Sequence, residues 1–298
     1  MAKRNAKISK KNKRILLNLV VLALIAVIGA IYEWGFSKKA EPTNIPVNNS
    51  LLQIYFFDVG QADSSLILND GKAMLIDGGN DSDGEKITSQ IRELGIEKID
   101  YIIATHMHAD HIGGLDDVIN SFSIGEVYMP DTDQTDKQVE EFLEAIDNKN
   151  LKITIPEKGD TFMLGNVQCE VMAVDNSKPK NINLSSIVLQ LEFGTERFLF
   201  TGDAEKEVEN TRTWDKVDVL KVGHHGSDTS SSKNFINQIK PEIAVISVGK
   251  NNSYHLPKQS TIDTLQQIDA KVYRTDKSGT IYLESNGENI TVKEMGKE

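Results

Sequence analysis

The 298-residue sequence predicts an α+β domain, an αββα sandwich of two face-to-face mixed β-sheets with helices outside, preceded by one N-terminal transmembrane helix. Residues 15–36 form one apolar block, short strand-like runs crowd the chain from Leu52, and helical patterns then alternate with strands and no linker divides them. With 39% hydrophobic and 26% charged residues the chain can bury a large core, which excludes intrinsic disorder as the main state.

Residues 15–31 read ILLNLVVLALIAVIGAI, with Asn18 the polar interruption, and Tyr32, Trp34 and Phe36 follow as interfacial aromatics. The 22 residues from Ile15 to Phe36 give roughly 33 Å of helix, enough for a hydrocarbon core of about 30 Å. Seven basic residues precede the block and only Lys38 and Lys39 follow closely, so the N-terminus is expected in the cytoplasm. The chain then divides into a basic tail (1–14), a plasma-membrane anchor (15–36), a polar tether (37–50) and an extracytoplasmic catalytic domain (51–298). The alternative is secretion after signal cleavage, for which the apolar stretch is long and Ile28-Gly29-Ala30 a poor site.

Strands are expected at 52–58, 64–69 and 73–77, the last two joined by a hairpin turn at Asn69-Asp70-Gly71. A helix over 82–94 carries Ile87, Ile91 and Leu94 on one face, and another over 136–148 carries Val139, Phe142, Leu143 and Ile146. Between and after them come strands at 101–105, 152–155, 167–174, 187–193 and 198–201. Helices at 205–214, 234–239 and 260–268 then lead into strands at 217–222, 243–247 and 271–274. The run 229–232 is expected to cap the second of these helices. Cys169, the one cysteine, is expected as a small buried thiol, and it excludes an intrachain disulfide or a multi-cysteine zinc site.

The net charge of −11 averages two unlike pieces. Residues 1–39 hold nine of the 33 basic groups and one acid, Glu33, so residues 40–298 stand at −19. A body that acidic disfavours a simple DNA-binding module, because attraction to a phosphate backbone depends on cationic groups. Bound cations, with Lys221, Arg212 and Lys250 as a small basic rim, would reverse the field locally.

The strongest chemical signal is Thr105-His106-Met107-His108-Ala109-Asp110-His111-Ile112-Gly113-Gly114, straight after an apolar strand. Imidazole and carboxylate are favoured zinc ligands, and four in six residues can point two ways and supply two metals. The other three histidines, His224, His225 and His255, lie in loops near predicted strands. Thr201-Gly202-Asp203 also ends a strand and offers a carboxylate to share between two cations. At least one of His224 and His225 is expected as a ligand, and the sequence leaves open which.

These residues resemble the metallo-β-lactamase-fold hydrolases, whose HxHxDH motif is matched by His106, His108, Asp110 and His111 over a resemblance covering roughly 52–292. A closer likeness is to the metallo-hydrolase domain of ComEC-type competence (DNA-uptake) proteins. It is carried by Phe57-Asp58-Val59-Gly60-Gln61-Ala62-Asp63, the polar run 181–186, Leu220-Lys221-Val222-Gly223-His224-His225-Gly226-Ser227, and Tyr254-His255-Leu256-Pro257. Two departures are Ala62 in place of a usual glycine and the lack of accompanying transport-channel helices.

The resemblance implies that Asp77 buttresses the histidine loop and that Asp203 bridges two ions. The family's usual histidine between the first motif and Asp203 is absent, with Asn181, Asn183 and Ser185 in that region. One ion is thus expected on His106, His108 and Asp203 with an open or water-filled position. The other is expected on Asp110, His111, Asp203 and His224 or His225. Asp58, Gln61, Asp63, Asp77, Asn183, Lys221 and His255 are candidates for substrate contact or support of the ligands. Two divalent cations, zinc first and manganese as the alternative, would activate water and stabilise the leaving oxygen. Asp110 is also expected to take the attacking water's proton, so catalytic roles fall to Asp110, His111 and Asp203.

With the anchor read from residues 15–36, the resemblance implies a membrane-anchored hydrolase of phosphodiesters, DNA being the first candidate partner. Small or wall-polymer phosphodiesters such as a phosphorylcholine ester come next, then lactones or β-lactams, and last a non-catalytic relative of the fold.

Overall fold

The computed structural model describes Asn48 and residues 50–296. The predicted tail, anchor and most of the tether lie outside these residues; among the described residues no helix is long and apolar enough to cross a membrane.

The first strands are β1 (Leu52–Phe56), β2 (Ser65–Asn69) and β3 (Lys72–Ile76). Asp70 and Gly71 form the turn between β2 and β3 with φ of 49° and 70°, the left-handed pair that a two-residue hairpin needs. Helix α1 (Gly84–Glu93) leads to β4 (Lys98–Ile103), α2 (Ala109–Ile112) and α3 (Leu115–Ser121) to β5 (Ser123–Tyr128), and α4 (Lys137–Asn148) to β6 (Lys152–Thr154). Strands β3 to β6 run parallel, as helical crossovers require. The second half holds β7 (Thr161–Leu164), β8 (Val167–Ala173), β9 (Val188–Phe193) and β10 (Glu196–Phe200). Helices α5 (Lys206–Glu209), α6 (Lys233–Ile239) and α7 (Gln259–Gln266) precede β11 (Val219–Lys221), β12 (Ile243–Ile246) and β13 (Lys271–Arg274) in turn. Helix α8 (Thr275–Ser278) then leads to β14 (Ile281–Ser285) and β15 (Ile290–Glu294).

One sheet has the order β15-β14-β1-β2-β3-β4-β5-β6 and the other β13-β12-β11-β10-β9-β8-β7. Strand alternation decides which side chains meet. Leu52, Ile54 and Phe56 of β1 face an inter-sheet core with Met74, Ile76, Leu189, Leu191, Phe198 and Phe200. Tyr55 faces the opposite layer, against Ile87 and Ile91 of α1. In the second sheet Leu199, Leu220 and Ala244 pack outward against Phe235 and Ile236 of α6. Burial on both faces explains the near-continuous apolar runs of these strands, each large side chain contributing roughly 1.5–3 kcal/mol of transfer free energy.

The predicted helix at 205–214 stops at Glu209, because the Trp214 indole donates to the Glu209 carbonyl and the Glu209 carboxylate accepts from the Ser231 and Ser232 amides. Strands β5, β7, β14 and β15 are additional to those expected. Ser232 caps α6, accepting from the Phe235 amide. Parallel strands β3, β4, β10, β11 and β12 bring the loops after them to one end of the sandwich.

A candidate metal centre at the strand ends

Asp77 follows β3, Thr105 and His106 follow β4, Asp203 follows β10, and His224 and His225 follow β11. The two sheets thus contribute to one cluster from residues up to 148 positions apart in sequence, Asp77 to His225. Asp77, His106, His111, Asp203 and His225 are buried, and His108, Asp110 and His224 are half-buried. The histidine loop lies tightly on the turn after β3. A Cβ on Gly113 would come within 2.4 Å of the Asp81 amide nitrogen and one on Gly114 within 2.5 Å of the Gly78 carbonyl, so glycine is required at both.

Hydrogen bonds determine which ring nitrogens face inward. Asp77 accepts from the Thr105 amide at 2.8 Å, the Thr105 hydroxyl at 2.8 Å and His111 Nδ1 at 2.8 Å. His111 therefore carries its proton on Nδ1 and presents Nε2 to the cluster. The Thr105 hydroxyl, having given its proton to Asp77, accepts from His106 Nδ1 at 3.2 Å, which leaves His106 Nε2 with its lone pair inward. His225 Nδ1 donates to the Ser247 carbonyl at 3.0 Å, so His225 Nε2 points at Asp110 Oδ2, 3.2 Å away. His106 Nε2 and His108 Nδ1 approach to 2.9 Å.

Asp203 lies between two groups. Its Oδ1 is 3.4 Å from His111 Nε2, and its Oδ2 is 4.0 Å from His106 Nε2 and 3.7 Å from His224 Nε2. His111 Nε2 and Asp203 Oδ1 are both buried without a hydrogen-bond partner. Leaving such atoms unpaired costs on the order of 1–3 kcal/mol each, and a shared cation would satisfy both. Two overlapping triads, His106 with His111 and Asp203, and Asp110 with His111 and His225, have ligand atoms close enough to hold an ion.

Burial holds His106 well below the ordinary histidine range, aided by His111, and burial also lowers His108, so both present neutral imidazole. Burial opposes ionisation of Asp203, but His111 and His225 outweigh it and hold the carboxyl well below the usual range. Asp110 is lowered likewise against its burial, chiefly by the bond from His225. Burial opposes charge on His111 and His225, yet Asp203 with Asp77 raises the first far above the ordinary value and Asp203 with Asp63 raises the second, so in the ion-free cluster each also carries a proton on Nε2 that a bound cation would displace. Two ionised carboxylates and an excess of imidazole are the donor set of a borderline-soft divalent cation.

The fold, the strand-end His/Asp cluster and the HxHxDH loop accord with a family match: residues 57–250 match the Metallo-beta-lactamase superfamily. This chain belongs to that superfamily. It is 33% identical over 258 residues to ComE operon protein 3 of Bacillus subtilis (strain 168), covering 79% of this chain and 33% of that protein. It is 27% identical over 283 residues to Competence protein ComA of Neisseria gonorrhoeae, covering 89% and 38% respectively. The chain spans about a third of the length of these curated relatives. The expected likeness to competence proteins is borne out. The metallo-beta-lactamase fold protein YhfI from Bacillus subtilis superimposes with a TM-score of 0.55 at 12% identity, covering 78% of this chain and 100% of that one, a likeness of fold alone. Membership of this superfamily implies divalent metal and hydrolytic chemistry, and the His/Asp cluster fits both.

Around the cluster, Asp63 is buried and accepts from Lys221 Nζ at 2.7 Å, with its other oxygen 3.5 Å from His225 Nδ1. Lys221 is also buried, which corrects its expected place in a basic rim: it neutralises Asp63 inside the protein. Arg212 lies over the Trp214 ring and donates to the Met172 carbonyl. Gln61 accepts from the Gly249 amide, tying the 58–63 loop to the strand-end loop after β12, and the Asp58 carboxylate accepts from the Gly60 amide within its own turn. Asn183 donates to Glu205 at 3.1 Å. His255 is exposed, in a loop that packs on the His224-His225 turn through Pro257 and Gly226. Sequence reasoning missed Thr105, Ser247 and Glu205 as partners of the histidines. A hydroxyl or carbonyl partner carries no signal until the strand ends are assembled.

Proposed function

We propose that the cluster holds two divalent cations, zinc first and manganese as the alternative, and hydrolyses phosphodiester bonds. The observation that carries this is the division of Asp203, whose two oxygens face separate sets of inward-pointing ligand atoms. His106 Nε2, His108 Nδ1 and Asp203 Oδ2 would hold one ion; Asp110 Oδ2, His111 Nε2, His225 Nε2 and Asp203 Oδ1 the other. Bound there, such ions supply Lewis acidity, lower the pKa of a water and offset charge on a phosphoryl oxygen. Asp110, half-exposed and ionised, accepts the proton of the attacking water, while His111 and Asp203 stay locked in position.

DNA as substrate follows from the resemblance to ComEC-type competence (DNA-uptake) proteins, with which the relatives ComE operon protein 3 and Competence protein ComA accord. A second reading, a small or wall-polymer phosphodiester, is favoured by the cleft of about 460 Å³ beside His108, which sets Lys180 and Asp136 among Gln134, Gln138 and Asn181. A buried Lys221 and a body at −19 leave little cationic surface to track a long duplex. The chain further reads as anchored through residues 15–36 with the catalytic domain outside the cytoplasm, from the apolar block and its flanking charge.

The test is hydrolysis of a chromogenic phosphodiester, labelled single-stranded DNA and labelled duplex by the full chain, with and without chelator. Activity lost on chelation and in Asp110→Asn supports the reading. Activity indifferent to both refutes it, and turnover of the small ester alone selects the second substrate class.

A further inference from the structure

His224 and His225 both adopt the left-handed backbone region, with φ of 50° and 51°. That conformation is strained for a non-glycine residue and persists where surrounding contacts over-determine it. The two rings leave the turn in different directions. His225 Nε2 reaches Asp110 Oδ2 at 3.2 Å, whereas His224 Nε2 faces Asp203 Oδ2 at 3.7 Å. His106 Nε2 faces that same oxygen at 4.0 Å, while Asp203 Oδ1 faces His111 Nε2. His224 therefore lies on the His106 side of Asp203 and His225 on the Asp110 side.

The opposite edge of the His224 ring is fixed by a polar cradle. Its Nδ1 lies 3.0 Å from Thr229 Oγ1 and 3.4 Å from Glu205 Oε1. Asn181 and Asn183 donate to the two oxygens of Glu205 at 3.0 and 3.1 Å, holding the carboxylate toward the ring. A carboxylate acceptor at this edge favours the tautomer with the proton on Nδ1 and the lone pair on Nε2. A carboxylate behind a histidine that faces a shared aspartate is the arrangement that orients and strengthens an imidazole ligand.

We propose that His224 Nε2 is a protein ligand to the first ion, beside His106, His108 and Asp203 Oδ2, in place of the open position expected from the sequence. The tandem histidines then divide between the two ions, and Glu205 is the residue that positions His224. A set of three imidazoles and one carboxylate suits a tetrahedral zinc ion. The strained turn would couple the two ions, since displacing one ring moves the backbone that holds the other. The proposal rests on the two-ion reading above.

The test strips the full chain of metal and titrates Zn2+ against a chromogenic competing chelator, with Co2+ absorbance as a second readout of ligand number. Wild type is expected to bind two ions. His224→Asn, which tolerates left-handed backbone, should keep one tight ion and weaken the other about 100-fold, and Glu205→Gln should weaken that same ion about 10-fold. Two ions at wild-type affinity in His224→Asn overturn the inference and leave the two-ion reading intact. Fewer than two in wild type overturns both. Should the variants misfold, 15N-labelled histidine in the wild-type chain decides the matter: the His224 Nε2 resonance moves as the ions load, or the inference is wrong.

Discussion

Replacing Asp77 by asparagine tests how far the proposed metal centre depends on a residue outside its proposed ligand set. One oxygen of Asp77 accepts from the Thr105 amide at 2.8 Å; the other accepts from His111 Nδ1 and the Thr105 hydroxyl, both at 2.8 Å. The amide of Thr105 can only donate, so an asparagine must keep its oxygen there and turn its NH2 toward His111. Two donors cannot share a bond, and His111 must move its proton to Nε2, the atom that faces Asp203 Oδ1 at 3.4 Å. The lone pair intended for the ion is then gone. Loss of such a partner behind a metal-ligating histidine costs 10- to 100-fold in affinity, or about 1.4–2.7 kcal/mol. Exchange of charge-assisted bonds for neutral ones at a fully buried position adds a stability loss of about 1.5–3 kcal/mol in the metal-free chain. A zinc competition titration measures the first effect and urea unfolding the second. Wild-type zinc affinity in a folded Asp77→Asn protein would refute the tautomer reasoning.

Lys221→Met removes the buried cation that pairs with buried Asp63, and should cost about 3–5 kcal/mol in urea unfolding, with much of the loss recovered when Asp63→Asn is added. Asp100 bridges Lys98 at 2.6 Å and Lys72 at 3.1 Å; burial raises its pKa, but the two lysines outweigh this and hold the carboxyl below the ordinary range. Its contribution is therefore present above the unfolded value and fades as pH falls through the lowered folded value, so Asp100→Asn should destabilise at pH 7 and match wild type in strong acid. Cys169 is fully buried with its thiol pKa raised by desolvation, and should react with a thiol reagent only at the rate of unfolding.

Much of the site was readable because its first four residues are contiguous. His106, His108, Asp110 and His111 announce metal chemistry wherever the strand before them ends, and Asp203 could be paired with them as a carboxylate at another strand end. The separate directions of His224 and His225 were not readable, since they depend on a left-handed turn and on a carbonyl, Ser247, supplied by the next strand. Lys221 misled for a related reason. A lysine at the end of β11 looks like surface until β11 is set beside the 58–63 loop, where Asp63 receives it 158 residues away in sequence. Among the elements, β5 escaped notice because Ser123, Gly125 and Glu126 dilute its apolar signal, and β15 because it is half-exposed at a sheet edge. The helix at 205–214 was overextended because periodicity does not register that Trp214 takes the Glu209 carbonyl.

The most direct measurement is the rate of phosphodiester hydrolysis by the metal-stripped full chain as zinc is returned in known equivalents. A two-ion hydrolytic centre predicts negligible rate without metal and a rise that saturates at two equivalents. A rate that is unchanged by stripping, or that never appears although two ions bind, would contradict it.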